Sequence, residues 1–256
     1  MRIVTLIENL VYKQGLVAEH GLSFYLETGH KKILFDTGQS ANFLSNAQAL
    51  GIDLREIDIV VISHGHYDHT GGLYPFLKIN SKAEVYIKKE AFLPKFHGTE
   101  RFIGITYDAG LLDSRIHYVS GNTEIDKGVF IMAEIPIKNP LDINYGNFKI
   151  KTPDGYANDE FMDELYLAIR QKERLSVISS CSHRGITNIM EAAFNQFRLR
   201  LHLVLGGFHI KDCRASQSEV ITMYLERFSV DRIGICHCTG VTQYAELLGH
   251  FHEKVF

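Results

Sequence analysis

No stretch of this 256-residue sequence approaches the roughly 18 consecutive apolar residues that a helix needs to span a bilayer, so no membrane segment is expected. The first nine residues, Met1 to Asn9, lack the long apolar core and small-residue cleavage site of a signal peptide and read instead as a first strand, which points to a cytoplasmic protein. Strong charge of either sign is also missing. The net charge is −3 with a pI near 6.5, and without a basic arm or face a nucleic-acid partner is not expected. The four cysteines, Cys181, Cys213, Cys236 and Cys238, have no zinc-finger spacing, since Cys236-His237-Cys238 leaves one residue between thiols. In a reducing compartment they are expected to stay reduced. No repeat at fixed spacing and no low-complexity linker divides the chain. With 45% apolar residues to build a core, one domain over residues 1–256 is the economical expectation.

What the sequence does have is histidine in a telling place. Within Ser63-His64-Gly65-His66-Tyr67-Asp68-His69-Thr70-Gly71-Gly72, three histidines and an aspartate fall in six consecutive positions. The apolar run Ile59-Val60-Val61-Ile62 before them reads as a buried strand, and a helix start is expected at Thr70. A strand, a ligand-rich turn and a helix deliver metal ligands from a rigid edge. His64 and His66, two apart in an extended turn, can face one ion, and Asp68 and His69 a second. Imidazole nitrogen and carboxylate oxygen suit zinc, with manganese and iron also compatible. A surface histidine cluster is the bland alternative, and the strand-end context argues against it.

Around this turn the chain alternates in the manner of an α/β protein. Leu22 to Glu27 and Lys32 to Phe35 form a hairpin pattern ending in Asp36-Thr37-Gly38, and a helix is expected over Ala41 to Leu50. Further strands are expected at Glu84–Ile87, Ile116–Val119 and Gly128–Met132. Residues 90–157 read as irregular and lid-like. Within them Lys95, Phe96, His97, Arg101, Phe102 and Tyr107 mix cations with aromatic rings, a set that suits a small anionic, ring-bearing substrate or, equally, a solvated loop. From about Asn158 to Lys172 a helix is expected, because Asp159, Glu160, Asp163 and Glu164 crowd what would be its first turns.

The last third repeats one design three times. Strand patterns end in Cys181-Ser182-His183, in Gly206-Gly207-Phe208-His209 and in Cys236-His237-Cys238, and helical patterns follow at about 187–197, 216–228 and 241–250. Sites in α/β sheets form beyond the strand ends. His183 and His237 are therefore candidate ligands. His209 is a candidate either for the metal or for a substrate phosphate.

The segments Phe35-Asp36-Thr37-Gly38, Ser63 to Gly72, Cys181-Ser182-His183-Arg184-Gly185, Gly206 to His209 and His237-Cys238-Thr239-Gly240, in that order, resemble the metallo-β-lactamase superfamily. Within it they resemble the branch named after archaeal 7,8-dihydropterin-6-methyl-4-(β-D-ribofuranosyl)aminobenzene 5′-phosphate synthase. The resemblance implies a four-layer αββα sandwich. It also implies two divalent ions held by His64, His66, Asp68, His69, His183 and His237, with Asp36 orienting a ligand histidine. One departure stands out: the aspartate that bridges both ions in many members has no clear match at these strand ends.

The expected chemistry is hydrolysis of a phosphate or other ester by metal-activated water. Asp68 can also take or orient a proton, and Lys95, Arg101 or His209 can hold a phosphate. The alternatives are a dihydropterin-type synthase that displaces a phosphorylated leaving group and a metal-binding sensor without catalysis. A nuclease is disfavoured by the charge balance. The oligomeric state and the natural substrate are not legible.

Overall fold

The computed structural model describes residues 1–256. In chain order the strands are β1 (Arg2–Ile7), β2 (Ser23–Glu27), β3 (Lys32–Phe35), β4 (Ile59–Val61), β5 (Glu84–Ile87), β6 (Lys95–His97), β7 (Arg101–Phe102), β8 (Ile116–Tyr118), β9 (Thr123–Asp126), β10 (Val129–Met132), β11 (Phe148–Thr152), β12 (Gly155–Asn158), β13 (Tyr166–Gln171), β14 (Arg174–Ser179), β15 (Arg200–Gly206) and β16 (Arg232–Ile235). The helices are α1 (Asn42–Ala49), α2 (Tyr67–Thr70), α3 (Leu73–Ile79), α4 (Ala109–Leu112), α5 (Ile186–Phe197), α6 (Ala215–Arg227) and α7 (Val241–Phe251). They gather into two units: residues 1–120 with 147–163, and residues 121–146 with 164–256.

The first unit is built on a six-stranded sheet ordered β1-β2-β3-β4-β5-β8. β1, β2 and β3 are antiparallel, and β3, β4, β5 and β8 run parallel. The apolar triplet Ile59-Val60-Val61 is buried, as expected of a central parallel strand covered on both faces. Leu34, Val60 and Val85 of the sheet share a core with Phe43 and Ala47 of α1 and Phe76 of α3. Because β3 and β4 are parallel neighbours, Asp36 and the turn that starts at Ser63 leave the sheet side by side, and the Asp36 N–H donates to Val61 O at 2.9 Å. A second, antiparallel sheet of this unit is ordered β12-β11-β6-β7. Much of the stretch expected to be irregular is thus ordered hairpin structure. Its short strands carry too little apolar alternation to be recognised from sequence.

The second unit is built on a sheet ordered β16-β15-β14-β13-β10-β9. β14, β15 and β16 are parallel and are linked by α5 and α6, while β13, β10 and β9 are antiparallel. Val177, Val204 and Ile233 of the parallel strands pack with Ile189 and Met190 of α5 and Ile221 of α6. The ends of the three parallel strands carry the three histidine turns.

One helix expectation is corrected. Over these residues Asn158 closes β12, a loop follows, and Tyr166–Gln171 form β13, whose Tyr166 to Ile169 are buried between β10 and β14. The acidic residues that mimicked a helix start instead bind loop amides: Asp159 Oδ1 accepts from Phe161 N–H at 2.8 Å, and Glu164 accepts from His183 N–H at 2.7 Å and Arg184 N–H at 2.8 Å. The helix expected from Thr70 is also split, into α2, which already contains Asp68 and His69, and α3.

Candidate metal centre

In the first unit the site starts from Asp36, which sits in the left-handed backbone region at φ 59° and is fully buried. Left-handed geometry costs a non-glycine residue about 1–2 kcal/mol, so it persists only where the surroundings fix it. Here they do. Asp36 Oδ1 accepts from Ser63 N–H at 2.7 Å, and its Oδ2 accepts from Ser63 Oγ at 2.6 Å and binds His69 Nδ1 at 2.8 Å. Because its proton is engaged in the hydrogen bond to Asp36, the Ser63 hydroxyl acts as acceptor for His64 Nδ1, 2.9 Å away. One carboxylate therefore fixes both imidazoles with a proton on Nδ1, leaving Nε2 of each as the basic nitrogen that a metal takes.

The three rings lie together. His64 is 4.7 Å from His66 and 4.4 Å from His69, centroid to centroid. Asp68 Oδ2 is 3.5 Å from His69 Nε2 and 3.2 Å from His20 Nε2. Two contacts explain why glycine occupies its places in the turn. A Cβ on Gly65 would meet Ala91 O at 2.0 Å, and one on Gly72 would meet Thr37 O at 2.2 Å. The Gly65 N–H donates to Asp163 Oδ2 at 2.7 Å, tying the loop between His64 and His66 to a buried acid.

Electrostatics at this cluster call for a cation. Burial pushes His64 well below its ordinary value, and the neighbouring rings of His69 and His66 add to that. Burial also acts to lower His69, but Asp68 and Asp36 outweigh it and push the imidazole up to about 10. The acids thus hold positive charge at His69, and a divalent ion among these nitrogens supplies it more strongly than a proton. The donor set of imidazoles and a carboxylate, with Nδ1 of two rings anchored behind, fits such an ion.

The second unit presents a different donor mix. His183, buried, has its Nδ1 at 3.2 Å from Asn144 O, and the Asn144 N–H donates to His183 O at 2.8 Å. The His209 ring is 4.0 Å from that of His183, and the His209 carbonyl accepts from the Asn144 side-chain amide. Donor atoms of Cys181, His183 and His209 lie within 4.8 Å of one another, and so do those of Cys181, His237 and Cys238. Ser182, His209 and His237 have positive φ, near 50° in each.

Two of the residues expected to hold a substrate phosphate take other partners. Lys95 is 1% exposed, and its Nζ lies 2.6 Å from Asp159 and 3.0 Å from Asp163. Burial works against its charge, but the two acids raise its pKa, so it is an internal cation rather than an open anion anchor. Arg101 is exposed, stacks over the Tyr67 ring and donates to Tyr67 Oη at 2.9 Å. Sequence reasoning missed Ser63 as the link to His64, His20 beside Asp68, and the thiols Cys181 and Cys238. Ser63 stood inside the motif, but nothing in its spacing marks a hydroxyl that relays a hydrogen bond. No helix is long and apolar enough to cross a membrane.

Comparison with known proteins places this architecture. The sequence profile described as the metallo-beta-lactamase superfamily matches residues 16–142. The 7,8-dihydropterin-6-methyl-4-(beta-D-ribofuranosyl)-aminobenzene-5′-phosphate synthase of Methanocaldococcus jannaschii is 28% identical, over 99% of this chain and 92% of its own length. An uncharacterised protein of the same organism is 31% identical over 96% and 93%. The crystal structure of Tm1679, titled a metal-dependent hydrolase of the beta-lactamase superfamily, superposes with a TM-score of 0.86 at 34% identity, covering 99% of this chain and 94% of that one. With these likenesses and the strand-end histidines together, the chain belongs to the metallo-β-lactamase superfamily and carries its α/β fold.

Proposed function

We propose that the protein is a metal-dependent hydrolase of phosphate or other esters, acting as a single metallo-β-lactamase-like domain with two divalent ions, zinc first among them. The proposed ligands are His64, His66, Asp68, His69, His183 and His237. The observation that carries this reading is the Asp36–Ser63 anchor, which fixes His64 and His69 as Nε2 donors beside His66 and Asp68. Such backing of ligand imidazoles by a carboxylate is how metal sites set tautomer and orientation. When bound, the ions lower the pKa of water toward neutrality and offset charge developing on the ester oxygen.

The chain's own residues supply the rest. Asp68 Oδ2, within 3.5 Å of His69 Nε2 and 3.2 Å of His20 Nε2, is placed to orient or accept the proton of the attacking water, and His20, half exposed, can pass that proton to solvent. His209 is the proposed contact of a small anionic substrate. A cytoplasmic setting goes with this reading, because it keeps the cysteines reduced. The test is elemental analysis of the purified protein, with assays on phosphomonoester, phosphodiester and carboxylic-ester panels before and after chelation. Bound transition metal and chelator-sensitive turnover are expected. A metal-free protein inert on every panel after zinc or manganese addition refutes the proposal.

A second reading is favoured by the full-length likeness to the M. jannaschii synthase. On it, the same ligands would serve displacement of a phosphorylated leaving group from a dihydropterin by a ribofuranosylaminobenzene phosphate. Incubation with both partners distinguishes the readings, since only the synthase yields the coupled product.

A further inference from the structure

The thiols of the second unit were not part of the ligand set above, and the way that unit is built brings them together. Cys181 follows β14 and Cys238 follows β16, and in the sheet β15 lies between those strands. Side chains from strands two apart do not ordinarily meet. They meet here because β15 ends in bare backbone. A Cβ on Gly206 would lie 1.6 Å from Ser179 O, and one on Gly207 would lie 2.5 Å from Ser180 O and 2.6 Å from Cys238 Sγ. The space a side chain would fill at Gly207 is taken by the Cys238 sulfur. Both flanking segments are hydrogen-bonded to this glycine pair, Gly207 N–H to Ser180 O at 3.1 Å and Cys236 N–H to Gly206 O at 3.2 Å.

Backbone geometry then turns two consecutive residues to the same side. Neighbours in an extended chain point to opposite faces. At 237–239 the chain instead makes a tight helical turn, with His237 at φ 53°, and both the His237 ring and the Cys238 thiol converge on Cys181. The three donor atoms lie within 4.8 Å of one another, and Cys238 Sγ donates to Cys181 O at 3.6 Å. A tetrahedral ion with zinc-like bond lengths holds its ligand atoms about 3.5–4 Å apart, so the three need to close by only about 1 Å.

We propose that Cys181, His237 and Cys238 bind a thiophilic divalent ion, with thiolate sulfur from two strand ends and imidazole nitrogen from one. This deepens the metal reading above, which it shares at His237, and adds a selectivity that reading lacks. Two thiolates favour zinc, cobalt or cadmium over manganese and magnesium, which prefer oxygen. Cys181 also belongs to the set with His183 and His209, so its sulfur stands where two donor groups join.

The test uses the whole chain, stripped of metal under reducing conditions and titrated with Co²⁺. Wild type is expected to show a near-ultraviolet sulfur-to-cobalt charge-transfer band. Cys181→Ser and Cys238→Ser are each expected to lose about half of the band, the double variant all of it, and Cys213→Ser none. Should the serine variants fold poorly, wild type still decides, because saturating Zn²⁺ must slow alkylation of Cys181 and Cys238, mapped by mass spectrometry, while Cys213 reacts unchanged. Cobalt bound with visible bands but no sulfur band, or thiols alkylated as fast with zinc as without, overturns the thiolate site and leaves the imidazole–carboxylate reading intact. No cobalt binding by equilibrium dialysis overturns both.

Discussion

Replacing Lys95 with methionine isolates a fully buried charge in the first unit. The ammonium is 1% exposed and lies 2.6 Å from Asp159 and 3.0 Å from Asp163, which are themselves buried. Methionine fills similar volume but removes the cation that both acids contact, leaving two carboxylates in a low-dielectric pocket. Breaking a buried ion group by removing one partner typically costs about 3–5 kcal/mol, whereas removing all its charges is often neutral or stabilising. Lys95→Met is therefore expected to lower stability by about 3–5 kcal/mol at pH 7, measured by urea unfolding. The triple variant with Asp159→Asn and Asp163→Asn is expected to recover most of that loss, because the carboxamide that replaces the Asp163 carboxylate still offers an oxygen to the Gly65 N–H. The pH dependence has a definite sign. Burial already pushes Asp159 up, and without the lysine its folded-state value shifts further above that of the unfolded chain. The defect of Lys95→Met is thus largest above that raised value and shrinks as the pH falls through it. A Lys95→Met protein within about 1 kcal/mol of wild type at pH 7 would refute the argument, since that is the behaviour of a solvated pair.

Asp36→Asn removes the carboxylate that anchors His69 directly and His64 through Ser63, and should weaken zinc or cobalt affinity by about 10–100-fold in a competition titration; unchanged affinity would show the anchor to be idle. Asp142 is held by burial at about 6, although Thr187 N–H donates to it at 2.8 Å and works the other way. Its folded carboxyl keeps a proton that the unfolded chain has lost, so its stabilising contribution is present below about pH 4 and is lost as the pH rises through 6. Asp142→Asn should accordingly exceed wild type by up to roughly 3 kcal/mol at pH 7 and match it near pH 4, and parallel stability–pH curves for the two proteins would contradict this. Chelation should lower the melting temperature, because metal present at about 100 times its dissociation constant adds close to 2.7 kcal/mol; identical melts with and without metal would argue against a bound ion.

Much of the architecture was legible because hydrophobic period and turn chemistry agree. The hairpin ending at Phe35, the buried Ile59-Val60-Val61 strand, the Glu84–Ile87 strand and the three C-terminal strand–turn–helix units lie close to where their patterns place them. The misreadings share a physical cause. Acids at 159–164 look the same in sequence whether they face a helix dipole or the amides of a loop, and only the fold reveals that Asp163 serves Gly65 and Glu164 serves His183. Lys95 reads from sequence as a cation open to a substrate phosphate, because sequence does not record the two carboxylates that enclose it. The thiols were set aside for lacking a finger-like spacing. That criterion applies to ligands on one hairpin, whereas Cys181 and Cys238 arrive from separate strands across a glycine pair.

Because His69 and, by way of Ser63, His64 are moored to the same aspartate oxygen, the two rings are not independent donors. Loss of the Ser63 hydroxyl should matter greatly when Asp36 is intact and hardly at all once it is gone, so a double-mutant cycle on the pair should be far from additive. The first unit thus treats a pair of imidazoles as one mechanical part, and whatever loosens the mooring detunes both at a stroke.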